Sequence, residues 1–221
     1  MELKDFFIRK IDAEIFSTFL ENQTTFDLSI AEKYIADIIA IPFNQYLDFI
    51  KIDSISPCVL SSDVPQFSNI ESATTKICEV MSSSLGSGYK FEQIGALLQP
   101  NKNKDIVANK KYGENHVKIA TELALCIFSG GRYYLSPIGI LFGKLSEYQK
   151  DQLISRLVLR NTLVYCIINK VLNGTSVIIA DEISFLSEST VKRRKNNCLF
   201  FCNMIRRNRD ISVEQILSKV K

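Results

Sequence analysis

Long apolar runs are missing from this sequence, and their absence argues against a membrane-spanning helix. A helix across a bilayer needs roughly 20 consecutive apolar residues, whereas runs such as Ile38 to Ile41 and Leu199 to Cys202 are far shorter. The N-terminal stretch MELKDFFIRK is charged and has no apolar segment ending in small residues, so it does not read as a secretory signal. A cytoplasmic location with no membrane partner is the expectation. No Cys-x-x-Cys pair is present, which argues against a zinc knuckle or a dithiol redox motif. The six cysteines, Cys58, Cys78, Cys126, Cys166, Cys198 and Cys202, lie in apolar surroundings and read as buried free thiols.

Histidine is nearly absent as well. His116 is the single one, and nothing near it in sequence offers a catalytic or metal-binding pair, so a packing role is expected. The sequence also lacks a Gly-x-x-x-x-Gly-Lys-Ser/Thr phosphate loop, a Gly-x-Ser-x-Gly elbow and a His-Glu-x-x-His helix. Catalytic residues therefore stay unassigned, and neither a metal site nor a cofactor is expected.

What is present suits a globular protein. Among 221 residues, 46% are hydrophobic and 23% charged, with nine Gly and five Pro, which is enough apolar surface to bury a core. The length suggests two compact units. The charge is unevenly spread: residues 1–88 carry 6 basic and 13 acidic side chains, net −7, and residues 89–221 carry 21 and 11, net +10. A basic half points toward a polyanionic partner.

Along the chain, residues 4–21 place Phe7, Ile8, Ile11, Ile15, Phe16, Phe19 and Leu20 at helical spacing. A second helix is predicted from Ser29 to Ile39, ahead of Pro42. Residues 44–66, interrupted by Ser54, Pro57 and Pro65, read as loop with a short strand. Residues 69–88 read as one helix with Ile70, Thr74, Ile77, Cys78 and Met81 on one face. A short helix, YKFEQIGALL, a polar turn, a long helix, VANKKYGENHVKIATELALCIF, and a hairpin, GGRYYLSPIG closed by a Pro-Gly break, follow. That order matches a winged helix-turn-helix, whose second helix enters the DNA major groove while the wing touches the backbone.

Beyond it, Leu153, Leu157, Leu159, Leu163, Ile167 and Val171 are core candidates of one or two helices, and Asn173-Gly174 marks a turn. IIADEISF reads as a short helix and LSESTVKRRKNNCLFFCNMIRR as a longer one, so helix-turn-helix order recurs without a wing. The fold class expected is mainly α with a minor β component. It would comprise an α-rich subdomain over 1–68, a winged helix-turn-helix over 69–143 and a second helix-turn-helix-like unit over 144–221.

Helical projection at about 100° per residue sharpens the candidate sites. Ser187 reads as an N-cap accepting from the Thr190 N–H, with Leu186 and Val191 as a hydrophobic staple. Val191, Cys198, Phe201, Cys202 and Ile205 fall inward. Ser189, Lys192, Arg193 and Asn196 fall outward, and Arg194 and Lys195 lie on the flanks. Arg suits guanine, Asn suits adenine and flanking cations suit phosphates. In the long helix, Lys111, Glu114, Asn115 and Lys118 face outward, and Arg132 beside Tyr133 and Tyr134 suits a wing contact, with one of the two tyrosines pointing inward. The Arg206, Arg207 and Arg209 cluster adds further phosphate candidates.

The runs ANKKYGENHVKIATELAL, YYLSPIGILFGKLSEYQKDQLISRLVLR and LSESTVKRRKNN resemble winged-helix DNA-binding modules of bacterial restriction–modification and related phage-defence proteins. The resemblance covers about residues 72–206; Ser136-Pro137 departs from the usual Thr-containing wing exit, and residues 1–70 carry none of it. It implies double-stranded DNA as partner, bound through both helices, and a nuclease or methyltransferase acting alongside. Two alternatives stay open: a type II restriction endonuclease with a divergent site in the N-terminal half, and a transcriptional regulator or protein-interaction module, a homodimer through residues 1–70.

Overall fold

The computed structural model describes residues 2–7, 27–53, 57–83, 85–100 and 105–221. They are mainly helical, with one two-stranded antiparallel hairpin. The elements in order are α1 (Leu3–Phe7), α2 (Ser29–Ala40), α3 (Phe43–Ile52), α4 (Ile70–Ala73), α5 (Thr75–Ser82), α6 (Phe91–Leu98) and α7 (Ile106–Glu122). Then come β1 (Cys126–Ser129), β2 (Arg132–Leu135), α8 (Pro137–Phe142), α9 (Glu147–Leu157), α10 (Thr162–Leu172), α11 (Ile179–Glu182), α12 (Glu188–Asn203) and α13 (Ile211–Leu217). Of the helix expected over 4–21, only α1 falls among the described residues.

The chain divides into a first unit of residues 1–7, 37–65 and 147–221 and a second unit of residues 8–36 and 66–146. This differs from the three consecutive parts read from the sequence, because residues 37–65 join the C-terminal segment. The regrouping also redistributes charge. The first unit holds 15 basic and 13 acidic side chains, net +2, and the second 12 and 11, net +1. The contrast between chain halves is thus not a contrast between folded units, and any polyanion site must rest on local arrangement.

In the first unit, residues 43–52 form a helix where a loop with a short strand was expected. Phe43, Tyr46, Leu47 and Ile50 repeat at helical spacing and are all buried; the serines and prolines that suggested a loop come after the helix. Tyr46 donates to the Ile38 carbonyl at 3.0 Å. Arg156 of α9, 3% exposed, donates to Gln152 Oε1 at 2.9 Å and to the Ile39 and Ile41 carbonyls at 3.3 and 3.1 Å. Its guanidinium lies over the Phe43 and Tyr46 rings at 5.6 and 5.7 Å. Free C-terminal carbonyls of α2 thereby gain a cationic partner. The six core candidates of residues 153–171 are all buried. Asn161 caps α10 by accepting from the Val164 N–H at 2.9 Å and donates to the Asp63 carbonyl at 2.9 Å.

In the second unit, the single helix expected over 69–88 is two helices broken at Thr74, whose backbone lies at φ −121° and ψ −95°. Its hydroxyl donates back to the Ile70 carbonyl at 3.1 Å. Ile70, Thr74, Ile77, Cys78 and Met81 are nonetheless buried together, as the spacing predicts. The long helix ends at Glu122 rather than running to Phe128, because Ala124 turns the chain through a left-handed φ of 57° into β1. Gly130 and Gly131, at φ 54° and 75°, form the two-residue turn between the Ser129–Arg132 pair, the mirror-image turn that tight hairpins favour. Ser136-Pro137 starts a helix instead of breaking the chain. Ser136 accepts from the Gly139 N–H at 2.9 Å and donates to the Ala124 carbonyl at 2.6 Å, and Pro137 occupies the first turn, where its missing N–H costs nothing.

Candidate nucleic-acid interface

Two helices and a hairpin tip carry the residues singled out from sequence, and the units present them differently. In the second unit, α5 is followed by an isolated antiparallel bridge, Tyr89 to Tyr133, with N–H to O distances of 2.8 and 2.9 Å. Then come α6, α7 and the β1–β2 hairpin. Asp105 caps α7 by accepting from the Ala108 N–H at 2.7 Å.

Lys111 and Lys118 are exposed on α7, but both are engaged by Glu114, at 3.0 and 2.7 Å. Those ammonium groups hold the Glu114 carboxyl below the ordinary carboxylate range, Lys118 most strongly. Asn115 is half-buried, not fully outward. Arg132 is half-buried and donates to the Gly88 carbonyl at 3.2 Å, so it props the hairpin against the preceding turn. Tyr133 is buried between Phe91 and Phe128, with ring centroids at 5.1 and 4.7 Å, while Tyr134 is half-buried over Gly88. Alternation thus sends one tyrosine inward, as expected.

His116 is buried, with Nδ1 2.7 Å from the Tyr112 carbonyl, Nε2 3.4 Å from the Ser68 hydroxyl, and its ring 4.0 Å from that of Tyr112. Burial holds its pKa below the ordinary 6.5, so the neutral ring fills the core.

The first unit supplies the more open basic surface. α12 follows the short α11, and Ser187 stands at its N-cap position. Its hydroxyl does not take up the Thr190 N–H; it donates to the Thr190 hydroxyl at 2.8 Å, while its carbonyl accepts the Thr190 and Val191 N–H groups. Cys198, Phe201, Cys202 and Ile205 are buried and Val191 is half-buried. Ser189, Lys192, Arg193, Lys195 and Asn196 are exposed. Among the described residues no carboxylate pairs with Lys192, Arg193 or Lys195, so three cations stand in water along one stretch of helix. Arg194 behaves otherwise. It is half-buried and reaches the Ser61 and Val64 carbonyls at 3.4 Å each, which makes it a tie within the unit.

The arginines after α12 are committed too. Arg206 pairs with Glu214 at 3.0 Å, and Arg207 and Arg209 pair with Asp151 at 3.6 and 3.5 Å. Sequence reading did not foresee these pairs: Asp151 lies 56 and 58 positions before Arg207 and Arg209 (207 and 209 against 151), and Glu214, eight positions beyond Arg206, belongs to the next helix, α13. It also passed over Lys221, whose backbone meets that of Val177 and Ile179: the Lys221 N–H donates to the Val177 carbonyl at 2.9 Å, and the Ile179 N–H donates to the Lys221 carbonyl at 2.7 Å.

Among the described residues no three His, Cys, Asp or Glu side chains gather as a metal would require, and no helix is long and apolar enough to cross a membrane. All six cysteines are free; five are buried as expected, and Cys58 is exposed. No protein-family model matches the chain, and no curated protein and no solved structure matches it either.

Proposed function

We propose that the chain binds duplex DNA, with α12 as its principal reading helix and Ser189, Lys192, Arg193 and Asn196 as the groove-facing set. The observation that carries this is the solvent face of α12. It presents exposed cations that have no carboxylate partner among the described residues, interleaved with a hydroxyl and an amide that can address base edges. The order of the second unit supports a winged-helix reading of α5 to β2, the Tyr89 bridge taking the place of the first wing strand. There, Lys111, Asn115, Lys118 and Arg132 would serve as secondary contacts. Glu114 must release the two lysines to phosphate. The tandem winged helix-turn-helix arrangement, and a place in restriction–modification or phage defence beside a nuclease or methyltransferase, rest on the resemblance carried by KYGENH and LSESTVKRR.

The test is a titration of labelled duplex DNA by anisotropy at several salt concentrations. If six or so phosphates are neutralised, the log–log salt slope is about −5. Lys192→Ala/Arg193→Ala weakens binding by at least about tenfold, since each good base or phosphate contact contributes about 1–3 kcal/mol, with the melting temperature unchanged. Equal affinity of the double variant and the parent overturns the assignment.

A further inference from the structure

Beside the exposed face of α12 lies a cleft of about 240 Å³ within the first unit, lined by Lys195, Asn196 and Leu199 of the helix, by Ile178 and Ile179, and by Lys221. The two lysines are 26 positions apart in sequence (221 against 195). They share the cleft because residues 177 and 220 form a parallel bridge, and the Lys221 backbone is bonded on both sides to the segment entering α11. Among the described residues neither ammonium has a carboxylate partner. The cleft is therefore lined by two lysines and an amide beside the apolar side chains of Ile178, Ile179 and Leu199.

We propose that this cleft is a seat for one sugar–phosphate unit of a nucleic-acid backbone. Lys195 and Lys221 would hold the phosphodiester oxygens, and the apolar side chains would lie against the deoxyribose. A sulfate-sized anion would use only the lysines and leave the apolar side chains wet, whereas a sugar–phosphate matches both. Asn196 sits at the boundary, on the cleft wall and also on the outward face of α12. A phosphate held here would fix how the helix lies along the strand. Phosphate contacts of this kind set register without reading sequence. The proposal rests on the DNA-binding reading for its biological setting, but the chemistry of the cleft can be tested apart from it.

Titration of the full chain with thymidine 5′-monophosphate, followed by amide chemical shifts, probes the cleft directly; thymidine and inorganic phosphate serve as controls. Saturable shifts at residues 178–180, 196 and 199 are expected with the nucleotide, at least tenfold weaker with either control, and at least tenfold weaker in Lys195→Gln/Lys221→Gln. No saturable shift with the nucleotide, equal response to inorganic phosphate, or shifts that survive the double substitution would each overturn the seat. With duplex DNA, each single Lys→Gln change should flatten the log–log salt slope by about 1 and weaken all sequences alike. A parent chain that binds the nucleotide but no duplex would retain the seat and reject the DNA-binding reading.

Discussion

Gly95 of α6 and Gly113 of α7 meet with no side chain between them. A Cβ on Gly95 would lie 2.6 Å from the Asn109 carbonyl carbon, and one on Gly113 would lie 2.8 Å from the Gly95 nitrogen. The obstacle in each case is backbone, which cannot swing aside. Gly95→Ala or Gly113→Ala is therefore expected to cost about 3 kcal/mol, the upper part of the overpacking range. That corresponds to a melting temperature lower by about 6–12 °C for a chain of this size. Alanine ordinarily stabilises a helix relative to glycine, so a higher melting temperature by calorimetry would show that the helices do not cross this closely.

Neighbouring arginines on α12 should separate binding from stability. Arg193 is exposed, while Arg194 donates to the Ser61 and Val64 carbonyls. Arg193→Ala is expected to weaken duplex binding and leave unfolding unchanged. Arg194→Ala should lower stability by about 1 kcal/mol, the usual net value of such hydrogen bonds. Chemical denaturation and anisotropy on the same two variants check this; equal effects of both substitutions on stability would contradict the division.

The buried neutral His116 makes stability depend on pH. Its folded pKa is lowered from 6.5 by burial, so the unfolded chain binds the proton more readily. The contribution is fully present above pH 6.5 and is lost as pH falls toward the lower folded value. The melting temperature should fall as pH is lowered through this window, and more steeply in the parent than in His116→Gln. Parallel pH profiles for the two proteins would exclude His116 as the source.

Thiol reactivity should single out one cysteine. Cys58 is exposed and the other five are buried. Burial pushes the Cys198 thiol up to about 12 and raises those of Cys126, Cys166 and Cys202, which suppresses the reactive thiolate. Native protein with a chromogenic disulfide reagent should release one equivalent rapidly and six after denaturation. The rapid phase should vanish in Cys58→Ser; more than one fast equivalent would show a more open core.

Local sequence determined the elements whose causes are local. The spacing of Leu153, Leu157, Leu163 and Ile167 dictates a buried face, and the projection of α12 separates Cys198, Phe201 and Cys202 from Lys192, Arg193 and Asn196, because a helix repeats every 3.6 residues whatever surrounds it. Gly130-Gly131 likewise specifies its own turn. The helix from Phe43 to Ile52 was also written in its spacing, but the breakers beyond it obscured the pattern. Only the tertiary structure decided which charges are available. Asp151 and Glu214 occupy the arginines after α12, and Arg194 turns inward to two carbonyls from residues 61–64, whereas the pairs of Glu114 with Lys111 and Lys118 are local, three and four positions apart on α7. Tertiary structure also joined residues 37–65 to the C-terminal segment, which erased the charge contrast of the chain halves, and brought Lys221 beside Lys195. Coulombic and hydrogen-bonding partners are chosen by distance in space, and a linear sequence holds that distance only within a turn or two of helix.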